Sequence, residues 1–446
     1  MRATAVGLHP AVLRLATAVS NRRAAHRIFE QIRDGIYLDR PRQQANQLEA
    51  VRAVAGYAIR NCSAYARLFE EAGLPPERIA SSGDLRRIAP VTKRAVRDRM
   101  HEFVSRVADA DRCVLKSTSG SAGEPLIFPR DPEYVLAGRA GTMRNMALAG
   151  WEPGDAVGHF WGFDRDVESF GKRMSGLLSR NFYFNAFRQN EAAMARWARR
   201  IRMLRIRFLY GYPNSLEVFA RFLAARGEAL NIRAVFCTAE QYLPHQRQAV
   251  ESAFGCKSYN LYGSAEIQNI AFECRAGSMH VAADFVVAQE EDFHSEAPSL
   301  VLTSLLSRCL PFIRYELGDH GRLRDEPCPC GIPGETMELL GGKRYDFLRS
   351  RNGVVHGAIV ARAFCRVGGI HRYRMIQHDF ERFTACAVLP ADDRRQDLRR
   401  ELEGSISDTI RAHFGSAATV DFEYPEAIPP AASGKFRFIV REFDSA

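Results

Sequence analysis

The sequence is poor in lysine and contains no long apolar run. Six of its 62 basic residues are lysines, namely Lys93, Lys116, Lys172, Lys257, Lys343 and Lys435. No apolar run approaches the roughly 20 residues that cross a bilayer. The apolar stretch up to Val19 is broken by His9, Pro10 and Arg14, which is unlike a signal peptide. We therefore expect a cytoplasmic chain without a membrane partner.

Cysteine is also sparse for a disulfide scaffold, with 10 residues in a chain of 446. We expect most of these cysteines to be reduced core residues, because free cysteine packs as a small apolar group. The length allows two or three domains, and a hydrophobic content of 46% can fill a large core. The sequence contains no internal repeat and no low-complexity tract. The composition is therefore that of an ordinary globular protein.

The net charge of +10 is carried almost entirely by arginine. A basic chain can bind nucleic acid, which makes a nucleic-acid-binding protein one alternative. That alternative requires aromatic residues interleaved along a basic groove. The densest arginine cluster lies at 199–207 and has helical spacing, as on the solvated face of a helix. We therefore expect no nucleic-acid partner.

Residues 117–125 form the most informative segment, Ser-Thr-Ser-Gly-Ser-Ala-Gly-Glu-Pro. The segment lies between two apolar stretches, 113–115 and 126–128, that have the character of strands. Hydroxyl groups and the exposed amides of a glycine-rich loop form a concave site suited to phosphate. A Ser/Gly surface turn has the same composition. The loop alone does not decide between these two interpretations.

Strands and helices are predicted to alternate through the centre of the chain, after a helical region that ends near residue 110. Predicted strands cover 156–160, 208–210, 233–237, 257–261, 285–288, 300–304 and 312–315. Predicted helices cover 132–149, 191–201, 215–226 and 244–254. Polar motifs follow several of these strands, and open α/β sheets bind ligands at the carboxyl ends of their strands. The fold class is therefore predicted to be α/β, with one composite site.

Five short motifs occur in a fixed order. They are Thr118–Pro125, Thr238-Ala239-Glu240, Tyr262-Gly263-Ser264-Ala265-Glu266, Tyr315-Glu316-Leu317-Gly318-Asp319 and Ser433-Gly434-Lys435. Together they resemble the adenylate-forming (AMP-binding) superfamily. The segments Leu305–Asp319, Phe272–Cys274 with His280, and Ile88–Lys93 resemble its phenylacetate–CoA ligase branch, particularly relatives of the capsular-polysaccharide type. The resemblance covers roughly residues 45–440 and leaves the role of residues 1–40 open.

This resemblance implies a fold of two parts. Residues 1–341 would form a large adenylation domain with mixed sheets flanked by helices. Residues 342–446 would form a small mobile α+β lid domain that rotates about Asp346. A hairpin turn is independently predicted at Asn352-Gly353, because this dipeptide favours two-residue turns between strands.

The resemblance also implies an AMP-forming carboxylate ligase. A carboxylic acid and ATP would give acyl-AMP and pyrophosphate, with Mg²⁺ held by Glu266 and Lys435 supplying a catalytic cation. The residues implied in binding ATP or AMP are Thr118, Ser119, Gly120, Ser121, Gly123, Thr238, Ala239, Glu240, Tyr262, Gly263, Ser264, Asp319, Lys343 and Arg344. The requirements of the reaction fit these residue types, since phosphates need donors, Mg²⁺ needs carboxylate oxygens, and adenine needs an aromatic face.

Two positions depart from the family pattern. Glu124 stands where a lysine usually precedes the proline of the phosphate loop, and an acid beside triphosphate is unfavourable unless it faces solvent. Ala265 replaces a threonine and removes one hydroxyl. Because of these two departures, an adenylate-forming fold that binds a nucleotide without turnover is a further alternative.

The acyl pocket is expected to be aromatic and to suit an aryl acid. Its candidate residues are His159, Trp161, Phe163, Tyr210 and Tyr212, with Phe160 and Asn214 as further candidates. Coenzyme A is the default acceptor of the family, and an amine or hydroxyl acceptor, giving an amide or ester, is the alternative. The oligomeric state is left open.

A metal site is predicted from cysteine and histidine. Cys274 and His280 lie close in sequence, and Cys328 and Cys330 form a Cys-Pro-Cys-Gly knuckle. Three thiolates and one imidazole match a closed tetrahedral zinc site. The sequence therefore predicts structural Zn²⁺ in addition to ATP and Mg²⁺.

Overall fold

The computed structural model describes residues 10–109, 111–118, 126–162, 176, 179–240, 242, 244–292, 298–341, 347–351, 353–356, 358–367, 370, 372–390, 394–428 and 439–443. The described α-helices are α1 (Pro10–Ile32), α2 (Arg40–Asn61), α3 (Ser63–Glu71), α4 (Lys93–Asp98), α5 (Met100–Phe103), α6 (Pro132–Ala147), α7 (Glu191–Met203), α8 (Pro213–Ala225), α9 (Pro244–Phe254), α10 (Ala358–Arg366) and α11 (Arg395–Phe414). Within these residues, no helix is long and apolar enough to span a membrane.

The strands form one large sheet and three small ones. In chain order they are β1 (Val91–Thr92), β2 (Val114–Ser117), β3 (Ile127–Arg130), β4 (Val157–Trp161), β5 (Asn181–Asn185), β6 (Phe208–Gly211), β7 (Ala234–Thr238), β8 (Ser258–Tyr262), β9 (Ala271–Glu273), β10 (Met279–Val281), β11 (Val286–Glu291), β12 (Ser299–Ser304), β13 (Tyr315–Arg324), β14 (Thr336–Gly341), β15 (Phe347–Ser350), β16 (Gly353–His356), β17 (Arg372–Gln377), β18 (Arg382–Val388), β19 (Thr419–Glu423) and β20 (Ile439–Arg441).

The N-terminal region is helical, as its periodicity predicts. Helix α2 begins after Asp39, whose carboxylate accepts a hydrogen bond from the backbone N–H of Arg42 and caps the helix. Its apolar positions Val51, Val54 and Ala58 recur at helical spacing and are buried in the core. Short helices follow up to residue 103, so the expected helical character of this region is confirmed.

The centre of the large sheet is parallel, with neighbouring strands in the order β5-β4-β6-β7-β8. Helices α7, α8 and α9 connect successive strands of this part, which confirms the α/β prediction. Strands β4, β6, β7 and β8 lie within one residue of their predicted positions, whereas β5 was not predicted. Helix α8 begins at Pro213, two residues before its predicted start, because the fixed φ of proline suits a first helical position.

Beyond β8 the sheet continues antiparallel in the order β9-β10-β14-β13-β12-β11, and β1 joins β13 in parallel. The strand expected at 312–315 is wrong, because β13 begins only at Tyr315. Arg314 precedes it with a positive φ of 53°, which interrupts an extended chain. The buried Arg314 guanidinium bonds to the Ile88 carbonyl and pairs with Glu291 at 2.7 Å, which fixes this bend.

The C-terminal residues build a separate four-stranded sheet in the order β19-β18-β17-β20, packed with α10 and α11. Strands β15 and β16 pair antiparallel, which confirms the predicted hairpin, but Gly353 lies opposite Ser350 within β16 and not in the turn as predicted. Ala186, Phe187 and Tyr212 of the large part join the same apolar cluster as the C-terminal residues. The Arg362 guanidinium lies 4.3 Å from the centre of the Phe187 ring. The small part therefore packs on the carboxyl ends of β5 and β6.

Two sequence expectations concern side chains. Cys113 and Cys309 are joined by a disulfide, while the other seven described cysteines are free, as expected for most of them. The arginines of α7 make intramolecular contacts: Arg202 pairs with Glu228 at 2.9 Å, and Arg200 lies over the ring of Phe182. These contacts favour a structural role for the arginine cluster.

Candidate active site

The β2–β3 hairpin carries the phosphate-loop candidate, of which the structure describes Thr118. The Thr118 backbone N–H donates to the Leu126 carbonyl at 3.0 Å, and the Leu126 N–H donates to Thr118 Oγ1 at 2.9 Å. These two bonds close the base of the loop. Ser119, Gly120, Ser121 and Gly123 lie outside the described residues, as does Glu124.

A lysine stands at the base of this loop. The ammonium of Lys93, at the start of α4, donates to Thr118 Oγ1 at 2.8 Å. Helix α4 is capped by the hydroxyl of Thr92, which accepts from the Ala95 N–H and fixes where the helix begins. The structure thus brings a cation to the loop in which Glu124 replaces the usual lysine. The sequence motif Ile88–Lys93 marked the family branch but did not indicate this position.

Tyr262 and Asp319 meet at the carboxyl end of β8. The phenol hydroxyl of Tyr262 donates to Asp319 Oδ2 at 2.8 Å, although the residues are 57 positions apart. Burial, and next the negative charge of Asp319, raise the pKa of Tyr262 well above its ordinary value. Asp319 is 8% exposed. A carboxylate held in this way at a strand end can accept hydrogen bonds from a diol.

Glu266 is almost fully buried, with 2% of its surface exposed. Its Oε1 accepts a hydrogen bond from the hydroxyl of Tyr315 at 3.2 Å, and its backbone carbonyl accepts from Tyr134 at 3.2 Å. Burial, and then repulsion from Glu266, raise the pKa of Tyr315, so this phenol stays a donor. Carboxylate oxygens are ligands that Mg²⁺ prefers. The oriented carboxylate of Glu266 therefore fits the magnesium role implied by the sequence.

The loop that carries Glu266 lies close against helix α6. Ser264 Oγ accepts from the Ile267 N–H at 2.9 Å and forms a tight turn, while Asn269 Nδ2 donates to the Gly138 carbonyl at 2.8 Å. A Cβ added to Gly138 would lie 1.5 Å from Gln268 Oε1. Glycine at this position of α6 leaves room for the Gln268 side chain, a feature that the sequence patterns did not indicate.

The Thr238-Ala239-Glu240 segment leaves β7 beside this loop. Thr238 Oγ1 donates to the Leu261 carbonyl at 2.7 Å, which ties the ends of β7 and β8 together. Ala239 has a positive φ of 69°, which turns the chain sharply. Asn214 Nδ2 donates to Glu240 Oε2 at 2.6 Å, and Gln246 donates to Asn214 Oδ1 at 2.7 Å. The candidate residue Asn214 thus positions Glu240.

The acyl-pocket candidates form a row of rings on one face of the parallel strands. His159 stacks on Tyr183 with ring centres 4.9 Å apart, and its ring lies 5.3 Å from Tyr210. Trp161 stacks on Tyr212 at 4.5 Å. The structure therefore brings together His159, Trp161, Tyr210 and Tyr212, while Phe163 lies outside the described residues.

His159 is neutral at physiological pH. Burial lowers the pKa of His159 to about 4, and its Nε2 forms a 2.8 Å hydrogen bond with Asn181 Oδ1. Burial also raises the pKa of Tyr210 to about 12. The pocket candidate set therefore presents neutral polar groups among aromatic rings, which suits an uncharged part of a ligand.

The aromatic row differs from the predicted set of pocket residues. Phe160 is not a pocket residue, because alternation along β4 turns it to the opposite face, where it packs against Phe184 and Phe219. Tyr183 and Asn181 were missed by the sequence analysis, although β5 pairs Tyr183 directly with His159.

Four predicted site residues of the C-terminal region lie outside the described residues, and their roles stay predictions: Lys343, Arg344, Asp346 and Lys435.

The predicted metal ligands come together as a cluster. The ligand atoms of Cys274, His280, Cys328 and Cys330 all lie within 4.8 Å of one another. Cys274 follows β9, His280 lies in β10, and the other two precede β14 in the loop after β13. The cluster therefore joins three strands of the large sheet.

Comparisons with known proteins agree with this architecture. Residues 347–442 match the family described as CapK C-terminal domain. The chain is 20% identical to Protein CapK from Staphylococcus aureus over 402 residues, covering 86% of each chain. It is 24% identical to the phenylacetate-coenzyme A ligase of Thermus thermophilus over 443 residues, covering 90% of this chain and 97% of that one.

A solved structure shares the fold at low sequence identity. It is 2-hydroxyisobutyryl-CoA ligase in complex with 2-HIB-AMP and CoA in the thioesterification state, with a TM-score of 0.62 and 18% identity over 91% of both chains. The expected fold, a large mixed sheet flanked by helices with a small C-terminal α+β part, is thereby confirmed. The resemblance to the phenylacetate–CoA ligase branch and to CapK-type proteins is confirmed by the relatives.

Proposed function

We propose that this chain is an AMP-forming carboxylate ligase that activates a carboxylic acid as its acyl-AMP. The observation that carries the proposal is the convergence of Tyr262–Asp319, Tyr315–Glu266 and Lys93–Thr118 on one edge of the sheet and the adjoining hairpin. Each pair places a group that the first half-reaction requires. The domain boundary between residues 341 and 342 is part of the same proposal.

The nucleotide part of the site is assigned from donor and acceptor chemistry. Asp319 accepts the ribose hydroxyls, and Tyr262 orients that carboxylate while its ring faces the base. The turn at Ala239, between Thr238 and Glu240, borders the base. The hydroxyls and amides of 118–123 hold the phosphates. Gly263 and Ser264 keep the loop that carries Glu266 compact, so that it lies beside these phosphates.

The charge of the reaction is balanced by cations. Glu266 would hold Mg²⁺, which would supply positive charge beside the phosphate oxygens and the leaving pyrophosphate. Lys93 adds a fixed positive charge at the loop base, where Glu124 has replaced a lysine. Lys435 supplies the second cation at the α-phosphate when the lid rotates about Asp346, and Lys343 or Arg344 supplies a further basic group to the nucleotide.

An aromatic carboxylic acid is the proposed substrate class. The carboxylate must face the phosphate loop, and its organic part then extends toward the rings of His159, Tyr183 and Tyr210. Planar rings stack favourably on such side chains. The neutral His159 imposes no charge on the substrate because its pKa lies near 4.

Coenzyme A is the proposed acceptor, in line with the family default. An amine or hydroxyl acceptor is the second candidate, and the family match of the C-terminal residues supports this alternative. Residues 347–442, which pack over the ends of β5 and β6 beside the aromatic row, match the CapK C-terminal family, whose name specifies no acceptor. The cytoplasmic location expected from the sequence stays a prediction, and the Cys113–Cys309 disulfide would be unusual there.

ATP–pyrophosphate exchange with a panel of aryl and aliphatic acids tests the proposal. We expect exchange that depends on one class of acid and on Mg²⁺, with aryl acids most active. Binding of ATP without exchange for any acid would instead support a nucleotide-binding protein without turnover. Salt-sensitive binding of DNA without nucleotide binding would support the nucleic-acid alternative. Mass analysis of products formed with coenzyme A, amines or alcohols then identifies the acceptor.

A further inference from the structure

We infer that Cys274, His280, Cys328 and Cys330 hold a structural Zn²⁺ that fastens the N-terminal helices to the large sheet. This inference is independent of the proposed ligase activity. It rests on the arrangement of four ligand atoms and on the contacts of the loop that supplies two of them.

The distances between ligand atoms fit tetrahedral zinc. Cys274 Sγ and Cys328 Sγ are 3.7 Å apart, and Cys330 Sγ lies 3.3 Å from His280 Nε2. Zn–S bonds of about 2.3 Å and Zn–N bonds of about 2.0 Å give tetrahedral edges of about 3.8 Å for two sulfurs and about 3.5 Å for sulfur and nitrogen. These two pairs already have tetrahedral spacing, and all four atoms lie within 4.8 Å of one another, so an ion would draw the more distant atoms in by about 1 Å at most.

The backbone around the ligands is shaped as in a metal knuckle. The Ile332 N–H points at Cys330 Sγ at 3.3 Å, and the Gly331 N–H bonds to the Cys328 carbonyl at 3.0 Å. Gly331 has a φ of 82°, a conformation that glycine adopts without strain. An N–H directed at sulfur stabilises a thiolate, which is the form that binds metal.

The surroundings indicate a closed site. Cys274 and His280 are each 1% exposed, and the His280 ring stacks on Phe272 at 5.7 Å. His280 Nδ1 is buried and has no hydrogen-bond partner within the described part of the chain, so the stacking orients the ring. Four protein ligands leave no open coordination position for a substrate. The ion would therefore be structural.

The loop that carries Cys328 and Cys330 also receives the N-terminal helices. Gln43 Nε2 in α2 donates to the Pro333 carbonyl at 3.5 Å and to the Leu38 carbonyl at 3.0 Å. Arg40 pairs with Asp325 at 2.9 Å and with Glu335 at 3.1 Å. These contacts join the first turn of α2 to both ends of the loop at 325–335.

An apolar contact completes this attachment. Ile36, in the short 3-10 helix Gly35–Tyr37, belongs to the same buried cluster as Ile332, Trp151 and Cys274. Between Arg324 and Thr336 the loop contains no strand or helix. Its conformation therefore depends on the few bonds at its base, and a metal ion that ties it to β9 and β10 would fix the surface on which residues 35–43 dock.

Metal analysis and limited proteolysis of the full chain test this inference together. We expect about one zinc per chain in protein purified without chelator. Cys330→Ser should lose most of that zinc, while Cys256→Ser, which changes a partly buried cysteine outside the cluster, should retain it. Removal of zinc should speed tryptic cleavage after Arg33 or Arg42 roughly tenfold, because local opening becomes easier. Returning zinc should reverse the effect.

Two outcomes would overturn the inference. One is protein that contains no zinc, or another metal in its place. The other is bound zinc whose removal leaves cleavage of the 33–42 segment unchanged while cleavage elsewhere increases. If Cys330→Ser fails to fold, thiol-selective release of zinc from the unmodified protein, followed by the same proteolysis, decides the question.

Discussion

The ammonium of Lys93 donates a hydrogen bond to Thr118 Oγ1 across 2.8 Å, which places a positive charge at the base of the phosphate-loop candidate. Only six lysines occur in the chain, and the loop itself carries Glu124 in the position where relatives of this superfamily usually have lysine. Lys93 therefore stands where it can replace that missing charge.

Lys93→Met should lower the rate of ATP–pyrophosphate exchange roughly 100-fold, because a preorganised charge near the phosphates is lost. The variant should fold, since the Leu126 N–H still bonds to Thr118 Oγ1. Lys257→Met is the matched control: this lysine bonds to the Arg275 carbonyl, remote in sequence from the loop, and the control should keep normal exchange. Equal exchange rates for the two variants would remove Lys93 from the mechanism.

Asp319→Asn should raise the KM for ATP roughly 10- to 100-fold and change kcat less, because charge-assisted hydrogen bonds to the ribose are weakened. Asparagine keeps an oxygen that can accept from Tyr262, so the strand ends should stay in place. Glu338→Gln makes the same chemical change at a half-exposed residue that pairs with Arg324. Steady-state kinetics should show a normal KM for that control, and a normal KM for Asp319→Asn would contradict the ribose role.

Gly211→Ala should destabilise the protein, because an added Cβ would lie 2.3 Å from the backbone oxygen of Phe160 in the neighbouring strand. Neither strand can move away easily, because both are hydrogen-bonded within the parallel sheet. We therefore expect a loss of about 2 kcal/mol in the free energy of unfolding. Gly404→Ala in α11 meets no atom within 4 Å and should stabilise by about 0.5 to 1 kcal/mol. Urea unfolding of the two variants measures the contrast, and a Gly211→Ala variant as stable as the parent protein would refute the packing argument.

The parallel strands and the helices between them were predictable because their apolar residues follow local periodicity. Helix α9 was placed at its observed bounds, and four of the parallel strands were placed within one residue, while β5 was not predicted. The start of β13 was not predictable, because it depends on the buried ion pair between Arg314 and Glu291, a contact between distant segments.

The site was predictable as a set of motifs but not as a set of contacts. Order along the chain indicated Tyr262, Glu266 and Asp319, yet the bond between Tyr262 and Asp319 spans 57 positions. The role of Tyr183 depends on the pairing of β4 with β5, which no motif encodes. The four metal-ligand candidates were predictable because cysteine and histidine in polar loops are distinctive residue types.

His159 should make the stability of the protein depend on pH. Its folded-state pKa of about 4 lies below the ordinary value of 6.5, so protonation favours the unfolded chain. The contribution is fully present above about pH 6.5 and is lost as the pH falls toward 4. Urea unfolding at pH 7 and pH 5 measures this effect. Between these two pH values, the free energy of unfolding of His159→Phe should fall by about 1 to 2 kcal/mol less than that of the parent protein. If the free energy of unfolding fell equally in both proteins, folding would not lower the pKa of His159.

Lys435→Ala should separate the two half-reactions. A cation at the α-phosphate matters when negative charge builds up there, so acyl-AMP formation should slow roughly 100-fold while ATP binding stays nearly unchanged. Transfer from chemically prepared acyl-AMP to the acceptor does not pass through that transition state and should proceed at the normal rate. Rapid-quench measurement of each half-reaction, with ATP binding followed by calorimetry, gives the three quantities. Normal acyl-AMP formation in the variant would exclude Lys435 from the first step, and slowing of both half-reactions to the same extent would indicate that the substitution disturbs the C-terminal part as a whole.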